Sequence, residues 1–409
     1  MKKKRIAFFG NFGQGNIGNE STLQAIIWNL RRYLPDVEVQ CVCTGFEAAK
    51  TLHNISVVAM NEIFFEKPNT SGKFFKLLWH TFIGVPLEFY RWFKTWRYLK
   101  GVDMLIVPGT QILSDNLCGP FSWPYWTFRW AILSKLARCN LLFVSVGVGP
   151  LRHPLSKLFI KSALKLADYR SYRDEISKEY LNNIGFNSRS DPVYPDLAFS
   201  FPISNLNHEE KTADYKKPIV AIGVKDYEGQ YGLLKAEDSA DSIYRRYLMK
   251  LADFVTWLLK QDYRVRLVIG DSAYDPQVQA DLKQVLSERN TSDKDGLLID
   301  QPIESLDQLI SMLAQSDIVA SSRFHNVVFG MLLNKPVIAL AYHDKFAALL
   351  EGPQLAEYHI HIDNMDIANL TSKIGKIINT NDEIIKNIGG KVREYRSRLD
   401  EQYDAIFKA

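Results

Sequence analysis

Short apolar runs alternate with segments of helical periodicity along almost the whole chain, and this alternation limits the fold more than any other feature. Residues 5–10 (RIAFFG) form an apolar run that ends in glycine, and residues 21–33 follow with Leu23, Ile26, Ile27 and Leu30 on one helical face. Further runs lie at 37–43, 103–107 and 141–146; the last two are apolar on both faces, as buried parallel strands require. Strands returned by helices to the same side of a sheet imply parallel α/β architecture. The theme restarts after a polar, patternless stretch, FPISNLNHEEKTADYKK at 201–217. Strands at 218–224, 265–269, 317–320 and 336–341 alternate with helices at 244–259, 276–289 and 323–333. The expected organisation is two Rossmann-like parallel-sheet domains, 1–200 and 218–380, joined by a linker at 201–217. A charged helix at 382–407, within a segment 381–409, is of the kind that often crosses back onto the first domain.

A chain of 409 residues suits two such domains. The formal charge of +4 is too small to argue for nucleic acid, but it is compatible with anionic substrates or an anionic membrane surface. Cys41, Cys43, Cys118 and Cys139 form neither a zinc quartet nor a C-x-x-C pair, so buried free thiols in a reducing cytosol are expected. Only Ile6 to Phe9 are apolar between the basic start and Gly10, too few for a signal peptide. No run is long and apolar enough to span a membrane. A cytoplasmic protein is expected, with peripheral contact at the inner face of the membrane left open. No His/Asp/Cys cluster has metal-ligand spacing, so no metal is expected.

The first strand empties into Gly13-Gln14-Gly15-Asn16-Ile17-Gly18, which fits G-x-G-x-x-G. A dinucleotide loop of that form needs an acidic residue at the end of the second strand to hold the ribose. Here that strand ends in Thr44-Gly45, while Asp36 and Glu38 lie at its start. A nicotinamide or flavin site is therefore disfavoured. The glycines would let backbone amides approach a ligand at a helix N-terminus, which attracts anions. A strand-to-helix turn that touches no ligand is the plain alternative. Asn11, Asn16 and Asn19 offer neutral amides suited to sugar hydroxyls. Glu20 would orient an acceptor hydroxyl, or simply sit in the first turn of the helix.

A second constellation, Ser321-Ser322-Arg323-Phe324-His325-Asn326, follows the strand at 317–320. Ser321 or Ser322 reads as the N-cap, which puts Arg323 and His325 in the first helical turn. Strand ends that meet helix starts form the ligand crevice of an open parallel sheet. Arg323 offers a planar fork for phosphate or carboxylate there, and His325 a titratable acid. The alternative is a helix-cap histidine bonded to backbone. Lys345, after the strand at 336–341, is expected to point into the same crevice, or else to be a solvated loop lysine. Arg173 and Asp174 lie between a short strand and a helix; with Asp174 as N-cap, Arg173 would project toward a ligand.

These residues together resemble the polysaccharide pyruvyl transferase family. The anchors are the glycine loop running into Glu20, SVGVGPL at 145–151, SYRDEISKEYLNNIG at 171–185, SSRFHNVVFGMLLNKPVIALAYHDK at 321–345 and, more loosely, VYPDLAFSF at 193–201. The resemblance implies a GT-B-like fold with the active site in the interdomain cleft. It implies transfer of pyruvate from phosphoenolpyruvate to two hydroxyls of a sugar, as a cyclic ketal with release of phosphate. The acceptor would be a surface polysaccharide or its lipid-linked precursor. By the family's motifs, Arg173 and Arg323 bind the donor and His325 is the general acid. Gly13, Gly15, Asn16, Gly18 and Glu20 fall on the cleft loop, the acceptor side. Three positions depart from the family pattern: Asn19 where aspartate is usual, Pro108-Gly109-Thr110-Gln111 where many members have a glycine triplet, and Lys225 where arginine is common. Lys225 and Lys345 join the expected donor-binding cations, since a substrate with both a carboxylate and a phosphate needs several. Phosphoenolpyruvate is then a substrate, and no resident cofactor is implied. Two other readings stay open: a nucleotide-sugar glycosyltransferase of similar fold, and a non-catalytic glycan-binding or assembly protein in which Arg323 and His325 are dispensable.

Residues 73–99 (KFFKLLWHTFIGVPLEFYRWFKTWRYL) and 121–130 (FSWPYWTFRW) form an aromatic-basic belt. Most of it is expected to cover the first sheet, because aromatic stripes usually mean core. The alternative is a membrane interface or a glycan-stacking surface.

Overall fold

A computed structural model describes residues 3–60, 83–115, 119–203, 218–227, 240–289, 296–343, 345–352 and 354–408. Residues 73–82 of the belt, 204–217 of the expected linker, Cys118 and Asp344 lie outside the described residues. The helices are α1 (Ile17–Tyr33), α2 (Phe46–His53), α3 (Val85–Leu99), α4 (Trp123–Ala137), α5 (Pro154–Leu166), α6 (Glu175–Asn183), α7 (Ala240–Lys260), α8 (Asp275–Glu288), α9 (Leu306–Ala314), α10 (Phe324–Leu332), α11 (Lys345–Leu349), α12 (Ile367–Asn379) and α13 (Asn381–Phe407).

The strands form two parallel sheets. In the first, β1 (Arg5–Gly10), β2 (Glu38–Cys43), β3 (Ser56–Ala59), β4 (Met104–Pro108), β5 (Asn140–Val146) and β6 (Tyr169–Tyr172) run in the order β3-β2-β1-β4-β5-β6. In the second, β7 (Ile219–Gly223), β8 (Arg264–Val268), β9 (Leu298–Ile299), β10 (Ile318–Ser321), β11 (Val337–Ala341) and β12 (His359–His361) run in the order β12-β11-β10-β7-β8-β9. Both are wound alike: the chain starts mid-sheet, steps outward, returns and steps the other way. Each therefore has a switch point, between β1 and β4 or between β7 and β10, where a crevice opens beyond the carboxyl ends of the strands. The apolar runs mark the central strands closely. Four strands stand outside those runs: β3 and β6 at the two edges of the first sheet, and the two- and three-residue strands β9 and β12 at the edges of the second.

The chain divides into two compact units, Met1–Gln14 with Leu30–Val193, and Gly15–Asn29 with Tyr194–Ala409. Most of α1, up to Asn29, thus groups with the second sheet. That helix starts four residues before its apolar pattern does. Asn16 caps it, its Oδ1 accepting from Asn19 N at 3.2 Å. Gly18, Asn19 and Glu20 are consequently helical, where the glycine-rich sequence reads as loop. The charged C-terminal helix α13 packs on the turn Leu197–Ser200 and on α10, within the second unit. Arg396 donates to Phe199 O and Phe201 O, both at 3.0 Å, and Tyr403 Oη lies 2.8 Å from Ser200 Oγ.

The belt splits by residue type. Trp130 is buried in the core of the first unit, and Trp92, Trp96, Trp123 and Trp126 pack against it. Phe89, Phe93 and Phe121 face outward. Cys41, Cys43 and Cys139 are buried free thiols, and burial pushes the Cys139 thiol up to about 12. Among the described residues no helix is long and apolar enough to cross a membrane.

Candidate active site

The switch point of the second sheet gathers most of the expected site residues. Gly223, the last residue of β7, pairs with Ser321, the last of β10. Lys225 leaves the sheet just beyond the first and Arg323 just beyond the second. Arg323 is itself the N-cap of α10, in extended backbone, so it precedes the first turn and does not lie within it. Ser321 Oγ accepts from Arg323 N at 2.9 Å and holds this entry to the helix.

The Arg323 fork is already engaged by the protein. Its Nε donates to Asp275 Oδ2 at 2.8 Å and its Nη2 donates to Asp275 Oδ1. Its Nη1 lies 3.8 Å from Asp271 Oδ2. Burial opposes the charge on Arg323, but the Asp275 carboxylate outweighs it and holds the guanidinium above its ordinary range. Asp275 has no solvent exposure and also accepts from Gly270 N at 2.9 Å, Asp271 N at 3.0 Å and Asp226 N at 3.2 Å. One carboxylate thus ties together the ends of β7 and β8 and the start of α10. Burial raises the Asp271 carboxyl above the usual range, against the Arg323 charge.

Two lysines converge beside this pair. Lys225 is fully buried, with its Nζ donating to Asp226 O at 2.7 Å and standing 4.6 Å from the centre of the Tyr342 ring. Lys345, the first residue of α11, is 8% exposed, so it is not a solvated loop lysine. Its Nζ lies 5.1 Å from the Tyr342 ring and 5.3 Å from that of Phe324. Burial, with Arg323 and then Lys345 adding repulsion against the pull of Asp275, lowers the Lys225 pKa to about 7. Tyr247 closes the floor: its hydroxyl accepts from Lys225 N at 3.2 Å and donates to Ser322 Oγ at 3.0 Å.

His325, the second residue of α10, turns toward the start of α1. A Cβ on Gly18 would stand 1.9 Å from His325 Nδ1, so Gly18 makes room for the imidazole. On the other side His325 Nε2 lies 3.8 Å from Asp196 Oδ1, buried and without a hydrogen-bond partner among the described residues. Asn16 and Gly15 are held by the loop after β8: Ile17 N donates to Gly270 O at 3.0 Å and Ser272 N to Gly15 O at 2.9 Å. The Asn16 side chain caps α1 through its Oδ1. Glu20 is buried in the first turn of α1. Gly18→Val should displace His325 and lower turnover about a hundredfold, on the scale of a lost general acid, with the melting temperature moving far less. Equal activity in that variant would detach Gly18 from the site.

Gly13 and Arg173 belong to the first unit. Gly13 has φ +72°, and a Cβ there would stand 1.9 Å from Gly45 O. Thr44 Oγ1 lies 2.9 Å from Asn11 Oδ1. The glycine loop therefore seats itself on the turn after β2, the place where a dinucleotide fingerprint would need its acidic residue. Arg173 follows β6 and is held closer than expected. Asp174 Oδ1 caps α6 at Ser177 N, 2.7 Å away, while its Oδ2 pairs with Arg173 Nε at 3.4 Å. Gly147 makes room for the guanidinium, since a Cβ there would stand 2.6 Å from Arg173 Nη2.

Sequence reasoning missed Asp275, Asp271, Asp196 and the Tyr342 platform. Asp196 was visible inside VYPDLAFSF, and Tyr342 at the end of a strand run. Asp275 reads as an ordinary acid in the first turn before Pro276, and nothing local marks its partner.

Two doubly wound parallel sheets, with charged side chains gathered at a switch point, place the chain in the GT-B-like class shared by glycosyltransferases and sugar-nucleotide epimerases. A UDP-GlcNAc 2-epimerase from Neisseria meningitidis bound to UDP-GlcNAc aligns over 99% of this chain and 100% of its own, with TM-score 0.59 and 12% identity. A glycosyltransferase from Rickettsia africae aligns over 100% of both chains, with TM-score 0.57 and 15% identity. The apo form of the lipopolysaccharide outer core galactosyltransferase WaaB aligns over 99% of both, with TM-score 0.57 and 12% identity. At such identities the likeness is one of fold. No curated protein matches the sequence. The chain belongs to the polysaccharide pyruvyl transferase family, whose pattern matches residues 16–344.

Proposed function

We propose that this transferase moves pyruvate from phosphoenolpyruvate to two hydroxyls of one sugar of a surface polysaccharide or its lipid-linked precursor. The observation that carries this reading is the convergence of Lys225, Lys345 and Arg323 at a switch point, with His325 two residues beyond Arg323. A donor with a phosphate and a carboxylate needs that density of positive charge. Because Asp275 offsets Arg323, the lysines contribute most of the net charge.

In this reading His325 Nε2 delivers a proton to the methylene carbon of phosphoenolpyruvate, giving an oxocarbenium that one sugar hydroxyl attacks. Phosphate then leaves, and the second hydroxyl closes the ketal. The two hydroxyl protons balance the one gained by the new methyl group and the one released with phosphate. No resident cofactor takes part in this scheme. Phosphate release from phosphoenolpyruvate with a panel of free and lipid-linked glycans, with NMR detection of the ketal methyl group, tests it. Tight UDP-sugar binding without phosphoenolpyruvate binding would instead favour a nucleotide-sugar glycosyltransferase.

The lysine pair sets a pH dependence. Lys225 is charged below about pH 7 and neutral above it. A bound anion favours the charged form and raises its pKa. The phosphate itself titrates lower, near a pKa of about 6. Donor affinity should therefore be level just below pH 7 and weaken up to about tenfold per unit above it, with a proton taken up on binding. Calorimetry across that range, in buffers of different ionisation enthalpy, checks this. Lys225→Arg should flatten the profile, because arginine stays charged; a flat profile in the parent protein would sink the assignment.

A further inference from the structure

We propose that the outward face of α3 is a docking surface for an anionic lipid membrane. Among the described residues, exposed large apolar side chains are scattered singly except here, where Ile83, Val85, Phe89, Tyr90 and Phe93 fall within a span of eleven residues. Phe89 is 72% exposed and Phe93 55%. The spacing of Phe89, Tyr90 and Phe93 puts them on one face at helical periodicity. Continuing along that face come Lys94, Arg97 and Lys100, all exposed.

The acidic residue of the helix is turned the other way. Glu88 accepts from Arg129 Nη1 at 2.9 Å and from Tyr125 Oη at 2.8 Å, and pairs with Arg91 at 3.2 Å. Burial works against the Glu88 carboxylate, and Arg129 with these bonds overrides it, holding its carboxyl below the ordinary range. Thr95 and Leu99 are buried, and Trp92 Nε1 donates to Tyr125 Oη at 2.9 Å, so the inner face is fixed to α4 and the core. Among the described residues of the helix, the outer face carries aromatic rings and cations, and the helix's one acid, Glu88, is on the inner side.

That composition fits a helix lying in the plane of a membrane: rings enter the headgroup boundary while lysine and arginine meet anionic headgroups. A second copy of this chain fits less well, since a symmetric contact would bring two sets of these three cations together. At fifteen residues the helix is too short to span a bilayer, so the contact is peripheral.

Sedimentation of the full chain with vesicles decides it. Binding is expected to vesicles containing phosphatidylglycerol, to be much weaker to pure phosphatidylcholine, and to fall with added salt. The double variant Phe89→Ser/Phe93→Ser should lose about tenfold or more of that binding, as should Lys94→Glu/Arg97→Glu, both with unchanged circular dichroism and melting because the residues are exposed. Absence of binding to phosphatidylglycerol vesicles would overturn the proposal. So would undiminished binding by either variant, or concentration-dependent self-association that Phe89→Ser/Phe93→Ser abolishes.

Discussion

His325→Ala should lower kcat by about 10² to 10⁴ while phosphoenolpyruvate still binds. The expectation rests on where the imidazole is held. The backbone of α10 fixes its root, Gly18 leaves space for Nδ1, and Nε2 is buried 3.8 Å from Asp196 with no hydrogen-bond partner among the described residues. A ring held so closely has little freedom to fill another role. The charge that attracts the donor comes from Lys225, Lys345 and Arg323, none of which the substitution removes. Donor affinity by calorimetry should therefore change little, while single-turnover phosphate release collapses. His325→Gln keeps the bulk and a hydrogen-bond donor but cannot cycle a proton, so it should be nearly as slow. Near-parent turnover in either variant would remove His325 from the chemistry. Loss of donor binding along with turnover would make it a binding residue instead.

Much of this arrangement is legible in the sequence. Central strands are buried on both faces, so they announce themselves as apolar runs, and two cycles of them give two sheets. Residues just after such runs fall at a crevice by topology alone, which is why Arg323 and Lys345 are found without coordinates, whereas Lys225 comes from the family resemblance. The partners of those residues are not legible, because a partner is set by distance in space. Asp275 lies 48 positions before Arg323 and resembles any acid in the first turn of a helix. Gly18 reads as one glycine of a nucleotide loop, yet it is a helical residue whose missing side chain admits His325. The G-x-G-x-x-G pattern thus has separate structural causes at different positions: Gly13 clears the turn after β2, and Gly18 clears His325. The belt divides in a way its composition does not reveal: Trp92 turns inward and donates its ring nitrogen to Tyr125, while Phe89 and Phe93 on the same helix face outward.

Asp275→Ala should be the most destabilising single change in the second unit, by about 3 to 5 kcal/mol. The substitution leaves the Arg323 guanidinium buried with only the more distant Asp271 carboxylate, 3.8 Å from Nη1. Desolvation of a poorly compensated charge is the dominant cost, because Arg323 stays protonated at any practical pH and cannot escape by titrating. Three backbone N–H groups, at Asp226, Gly270 and Asp271, lose an acceptor in the same step. Asp275→Asn keeps the shape but turns an amide N–H toward Arg323 or toward one of these backbone donors, so it should recover only part of the loss. Adding Arg323→Met to Asp275→Ala removes the stranded charge and should restore stability relative to Asp275→Ala alone, whereas two independent losses would simply add. Urea unfolding of the four proteins of this cycle measures the coupling. If Asp275→Ala costs under about 1 kcal/mol, the scale of a surface ion pair, the carboxylate is not the keystone of this switch point. The double variant also tests function: its fold should be recovered while donor affinity is not, which would separate the charge that holds the site together from the charge that binds substrate.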